Sequence, residues 1–324
     1  MAPMIGLALG SGAARGWSHI GVIEELEKAG IRPDIVTGCS MGALVGAAYV
    51  TGRLEALAEW ATKLEWTGIV GMLDVSFAGG GAIAGENVER LMDRLGVTGD
   101  IDAFDRPFAA VATNYHTGAE EWLTTGPVGK AIRASISLPG VFAPARIGDD
   151  WFVDGGLVNP VPVSTCRALG ARFIIAVNLN GELIGRYPVR QPARKSTEIR
   201  DAIVKQATTS LPPGIGQGIA RAAGDLLKPS EPRPGYFDVL ATSINIMQDR
   251  ITRARLAGEP PDAMIVPRLG EMGAFDFDWA KSAIEEGRLA TRAALPEIRR
   301  YLGEGDGAGF REPDSGVNPA GGSA

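Results

Sequence analysis

Short apolar runs alternate with stretches of helical periodicity along most of the chain. Met4-Ile5-Gly6-Leu7-Ala8-Leu9 is uniformly apolar and ends on glycine, the pattern of a strand buried on both faces. From Trp17 to Ala29 the apolar positions Ile20, Ile23 and Leu26 recur at helical spacing, with Glu24, Glu25 and Lys28 opposite them, and Gly30 follows as a stop. Ile35-Val36-Thr37 is a second strand, and the Ala/Leu/Gly-rich stretch after Ser40 a second helix. Strand, helix, strand, helix in about fifty residues is a βαβ unit, which predicts a mainly parallel sheet covered on both faces. Further helices are expected at Leu54–Leu64, Glu86–Leu95, Val128–Ser135, Val239–Leu256 and Trp279–Leu302, the last broken at Pro296. Further strands are expected at Phe108–Thr113, Glu121–Thr124, Trp151–Val153, Arg172–Asn178 and Ala263–Val266. The stretch from Asp74 to Gly85 is glycine-rich and irregular.

The pattern weakens twice. Residues 181–235 carry many prolines and a patchy helical stretch, and read as an inserted cap or lid, or as a solvent loop. From Gly303 the Gly/Pro/Asp/Ser composition has little to bury and reads as a disordered tail. Residues 1–302 are therefore expected to form one α/β domain, with 181–235 variable and 303–324 outside it.

Composition narrows the chemistry. A 45% hydrophobic, 22% charged chain of net charge −6 without a basic tract is no candidate for nucleic-acid binding. Two cysteines, Cys39 and Cys166, form no disulfide framework, and two histidines, His19 and His116, form no histidine-rich metal site. The N-terminal residues lack a basic region and a cleavage site, so no signal peptide is expected. Ile35 to Gly52 is uncharged, but its glycines and turn favour a buried strand-turn-helix over a membrane span. The expectation is a cytoplasmic protein with at most peripheral membrane contact.

Gly38-x-Ser40-x-Gly42 between a strand and a helix is a nucleophile-elbow pattern, which lifts a serine hydroxyl out of a tight turn. A serine hydroxyl needs a base, usually histidine in the order serine, acid, histidine. No histidine follows residue 116, so that order is impossible. His19 reads as a packed helix residue, His116 as a surface turn residue, and Cys39 as a small core residue pointing away from the apex. Among carboxylates, Asp154 is the best placed. It ends a strand and precedes Gly155-Gly156, which let the backbone pass close to another turn, although Asp-Gly also simply ends strands.

The first loop, Gly10-Ser11-Gly12-Ala13-Ala14-Arg15-Gly16, adds weight to a catalytic reading. Small residues at a strand's carboxyl end expose backbone N–H groups as an anion-binding nest does. Gly10-x-Gly12-x-x-x-Gly16 is one residue too long for a dinucleotide fingerprint, and no acidic residue ends the second strand to hold a ribose. No lysine follows for a P-loop. No cofactor and no metal are expected. Arg15 either anchors the loop through carbonyls or meets an anionic group of the substrate.

With these pieces placed, the chain resembles the patatin-like phospholipase family, in particular small bacterial members of the RssA type. The resemblance rests on Leu7–Val22, Gly38–Gly42, Ile132–Gly140 and Val153–Pro162, and covers roughly residues 4–180. It implies a three-layer α/β/α fold and a Ser–Asp dyad without histidine. Ser40 would be the nucleophile and Asp154 its base. Backbone N–H groups of the Gly12-Ala13 region, joined by Met41, would form the oxyanion hole. Many members carry four consecutive glycines in the first loop; here Ser11 and Ala13 interrupt them. The expected activity is hydrolysis of an ester or lipid acyl substrate through an acyl-enzyme. Acyl transfer to an alcohol or lysolipid, and a non-catalytic scaffold of the same fold, are the competing readings. Asp149 and Asp150 are candidates to raise the Asp154 pKa. The sequence leaves the natural substrate and the oligomeric state open.

Overall fold

The computed structural model of the chain describes residues 3–64, 85–181 and 236–303. Among them, eight strands form one sheet: β1 Ile5–Leu9, β2 Ile35–Cys39, β3 Phe108–Asn114, β4 Glu120–Leu123, β5 Ala145–Ile147, β6 Asp150–Asp154, β7 Phe173–Val177 and β8 Ala263–Ile265. The helices are α1 Ser18–Lys28, α2 Met41–Val50, α3 Leu54–Thr62, α4 Glu86–Leu95, α5 Val128–Ser135, α6 Val163–Ala168, α7 Tyr236–Gly258 and α8 Ala280–Leu302.

Strands β3, β2, β1, β7 and β8 run parallel in that order, while β4, β6 and β5 pair antiparallel at one side. The uniformly apolar strands are explained by helices on both faces. Leu7, Leu9, Val36, Ile175 and Val177 pack with Ile20 of α1, Val45 of α2 and Ile284 of α8. The alternate positions Ala8, Ile35, Ile174 and Ala176 pack with Val163 and Cys166 of α6. This is the expected three-layer α/β/α arrangement, with a mainly parallel centre.

The register around β3 determines where the site forms. Ala110 and Val111 pair with Gly38 and Cys39 of β2 on one edge and with β4 on the other. One step on, Ala112 and Thr113 still pair with β4, but Asp154 and Val153 of β6 have replaced β2. Strands β2 and β6 thus approach along one edge of β3 from opposite directions and stop end to end. The residues that terminate them, Ser40 and Asp154, meet at the junction.

Helix α8 closes the face carrying α1 by backbone contact. A Cβ at Gly21 would lie 1.9 Å from the carbonyl oxygen of Ile284, and one at Gly287 would lie 2.0 Å from that of Ser18. Arg288 with Glu24 (2.7 Å) and Arg292 with Glu25 (2.9 Å) tie the rims of the same pair.

Two expectations change. Helix α8 runs unbroken through Pro296. A proline costs roughly 3 kcal/mol inside a helix, but Pro296 is on the solvent side, where water can satisfy the freed carbonyl of Arg292. Thr291 and Ile298, to either side of it, are fully buried and hold the helix down. The short strand β5 was not expected; its three residues earn their place by pairing with β6. The proposed cap at 181–235, apart from Gly181, the irregular glycine-rich stretch before Gly85 and the tail after Gly303 lie outside the described residues. No helix among the described residues is long and apolar enough to cross a membrane.

Candidate active site

The elbow is built by close backbone approach. Ser40 has φ 55° and ψ −122°, a conformation that L residues rarely adopt and that concentrates at functional turns. A Cβ at Gly38 would stand 2.4 Å from the backbone of Gly42, and one at Gly42 only 2.1 Å from the Leu9 carbonyl oxygen. Both glycines are therefore required by space. The strained turn is held from α5: the Ser40 N–H donates to Ser135 Oγ (2.8 Å), whose hydroxyl donates to the Val111 carbonyl (2.6 Å). Ser135 lies within the Ile132–Gly140 stretch, and nothing local in the sequence signals that it reaches the elbow.

Ser40 Oγ donates to Asp154 Oδ2 across 2.8 Å. The carboxylate is equally fixed on its other side, where Oδ1 accepts the Gly156 N–H at 2.7 Å. Its backbone is clamped by Thr113 Oγ1, which donates to the Asp154 carbonyl (2.8 Å), and by the Asp154 N–H, which donates to the Ser137 carbonyl (3.0 Å). Gly155 is needed because a Cβ there would lie 2.2 Å from the Val111 carbonyl oxygen. Asp154 is wholly buried, and desolvation pushes its pKa up to about 6 against the pull of the Gly156 and Ser40 hydrogen bonds. Asp149 and Asp150 are exposed, Asp149 pairs with Arg146, and burial leads the shift instead. A carboxyl of pKa near 6 is ionised at neutral pH yet far more basic than an exposed aspartate.

The first loop sorts its own donors. Gly10 N–H is spent on the Val177 carbonyl (3.0 Å), Ser11 N–H on that of Pro160 (2.8 Å) and Ala14 N–H on that of Ala274 (3.0 Å). The N–H groups of Gly12, Ala13 and Met41, the last heading α2, donate to no group among the described residues. Ala13 has φ 48°, so the loop is strained where those donors lie. Gly16 seats the loop on the elbow, since a Cβ there would lie 2.3 Å from Met41 Cβ.

Arg15 is a buried anchor: its guanidinium donates to Asn180 Oδ1 (3.3 Å) and Asn245 Oδ1 (3.5 Å), and burial lowers its pKa to about 10. His19 is likewise buried, with its pKa lowered to about 4 by desolvation. As the Gly10 carbonyl can only accept, the neutral ring donates to it through Nε2 (2.7 Å). His116 lies exposed in the turn between β3 and β4. Cys39 is buried in the core, its thiol raised well above the ordinary range by desolvation. Among the described residues no cluster of three or more His, Cys, Asp or Glu is arranged for a metal ion.

The family profile described as patatin-like phospholipase matches residues 7–167, a span holding the first loop, Ser40 and Asp154. An uncharacterized NTE family protein of Mycobacterium bovis is 33% identical over 330 residues, covering 90% of this chain and 91% of that protein. The chain belongs to the patatin-like phospholipase family. A mouse patatin-like phospholipase domain-containing protein 6 is 31% identical over 185 residues, covering 55% of this chain and 14% of that much longer protein. A solved structure, VipD from Legionella pneumophila, aligns with a TM-score of 0.43 at 11% identity, over 91% of this chain and 66% of that one. As a patatin-like phospholipase the chain is a lipid hydrolase by class. The mycobacterial relative carries the NTE-family name, and neither relative singles out the RssA type.

Proposed function

We propose that this patatin-like phospholipase cleaves a carboxylic ester of a lipid by acyl transfer through Ser40, with Asp154 as the sole general base. The observation that carries the reading is the 2.8 Å hydrogen bond from a strained, elbow-borne hydroxyl to a buried carboxylate.

In the first step Ser40 Oγ bonds to the ester carbonyl carbon while its proton passes to Asp154. The carbonyl oxygen becomes an oxyanion, received by the N–H groups of Gly12, Ala13 and Met41. Each such donor is worth roughly 3 kcal/mol of transition-state stabilisation. The tetrahedral species collapses, the ester C–O bond breaks, and Asp154 returns the proton to the leaving alkoxide. Water then attacks the acyl-serine, gives its proton to Asp154, and the C–Oγ bond breaks with that proton restored to Ser40. Burial raises the basicity of Asp154, which supports its acting without histidine.

Ser40→Ala is expected to lose covalent labelling by a fluorophosphonate probe and hydrolysis of a short-chain aryl ester. Asp154→Asn should fold and lose at least a thousandfold in turnover, roughly 4 kcal/mol of barrier. Wild-type labelling in Ser40→Ala would overturn the assignment. A panel of phospholipids, lysophospholipids and simple esters, compared with Ser40→Ala, identifies the substrate class.

A further inference from the structure

Helix α7 buries polar residues where a helix normally buries apolar ones. Gln248, Asp249 and Thr252 are all nearly inaccessible, and Asn245, one turn earlier, accepts from Arg15. Gln248 bridges the two loops of the site. Its Oε1 accepts from Asn180 Nδ2 (3.1 Å) and from Ser11 Oγ (3.4 Å), on the first loop. Those two donors fix the amide orientation and turn Nε2 toward the loop that follows the base. A Cβ at Gly156 would stand 2.2 Å from Gln248 Nε2 and 2.9 Å from Asp154 Oδ1, so the amide nitrogen and the carboxylate lie within the sum of those distances. Nε2 donates to no group among the described residues, and it is not one of their sealed, unpaired polar atoms, which are Arg15 Nε, His19 Nδ1 and Thr252 Oγ1. The amide is thus pinned by its oxygen, and its nitrogen is left to meet an oxygen that enters the site beside the carboxylate.

We propose that Gln248 is a further residue of the active site, offering its Nε2–H to the oxygen that exchanges protons with Asp154. In acylation that oxygen belongs to the departing alkoxide; in deacylation it is the attacking water. Gln248 gives a hydrogen bond and no proton, so the transfers between oxygen and Asp154 are unchanged in balance. A single oxygen can accept from Nε2–H and donate to the carboxylate at once, which aligns it for attack or departure. The proposal rests on the Ser40–Asp154 reading and extends it to the second oxygen of the reaction.

Two variants test it. Gln248→Leu should lower kcat for an aryl ester at least tenfold, while Ser40 is still labelled to completion by fluorophosphonate. Gln248→Glu preserves the acceptor to Asn180 and Ser11 but turns a second carboxyl toward Asp154. It should move the acidic limb of the kcat/KM–pH profile upward by half a unit or more. Full turnover in Gln248→Leu, or an unmoved limb in Gln248→Glu, overturns the proposal, and the second result decides if the leucine variant does not fold. If wild-type protein is not labelled at Ser40, it is the dyad that fails. If labelling persists and only the Gln248 effects are missing, the dyad stands without it.

Discussion

The proposed mechanism places two opposed demands on Asp154, and they can be separated by pH. Its pKa is raised by burial from 3.8 to about 6, so the native state holds a proton that the unfolded chain has released between about pH 4 and pH 6. Stability therefore falls as pH rises through that window, by roughly 3 kcal/mol once the carboxylate is fully charged. On the proposed mechanism activity should rise through the same range, since a base must be deprotonated to accept the serine proton. The acidic limb of kcat/KM is expected near pH 6, with thermal stability declining over the same interval. Asp154→Asn keeps the hydrogen-bonding shape without the buried charge. It should be more stable than wild type at pH 7.5, by up to about 3 kcal/mol, and its stability should lose this dependence. A variant less stable than wild type at that pH would show that the charge is stabilised by something other than the Gly156 and Ser40 hydrogen bonds.

At the scale of the element, the contact between α1 and α8 is the most demanding. Gly287→Ala should destabilise the fold by roughly 2–3 kcal/mol, because the new methyl meets the Ser18 carbonyl and the helices must part. Chemical denaturation compared with an exposed alanine substitution on α8 measures this. The helices were legible wherever apolar residues recurred at helical spacing. Pro296 misled because proline marks a helix break locally, while the packing of Thr291 and Ile298 is a tertiary matter. The elbow and Gly155-Gly156 were legible because each glycine answers a steric demand that the motif itself encodes. Ser135 and Gln248 were not, for opposite reasons. Ser135 is an ordinary residue at the end of a short helix, and only its contact with Ser40 gives it a role. Gln248 follows a proline-rich stretch, 92 residues in sequence beyond the Gly156 it faces, and no periodicity links the two.

The whole molecule turns on the place where β2 and β6 run into each other along β3. That register brings together a serine and an aspartate 114 residues apart. Their separate motifs, each readable, do not say that they share one strand edge; sheet pairing across the molecule does. The end-to-end junction has a consequence for cooperativity. Neither half of the chain can present the Ser40–Asp154 pair alone, so the proposed probe reactivity of Ser40 is also a gauge of global integrity. In a denaturant titration, the loss of labelling should coincide with the loss of far-ultraviolet dichroism, a single transition seen by two probes. Earlier loss of labelling would reveal that β6 peels from β3 as a separate unit before the parallel centre gives way. In either case the label on Ser40 timestamps the moment at which the two strand ends cease to touch.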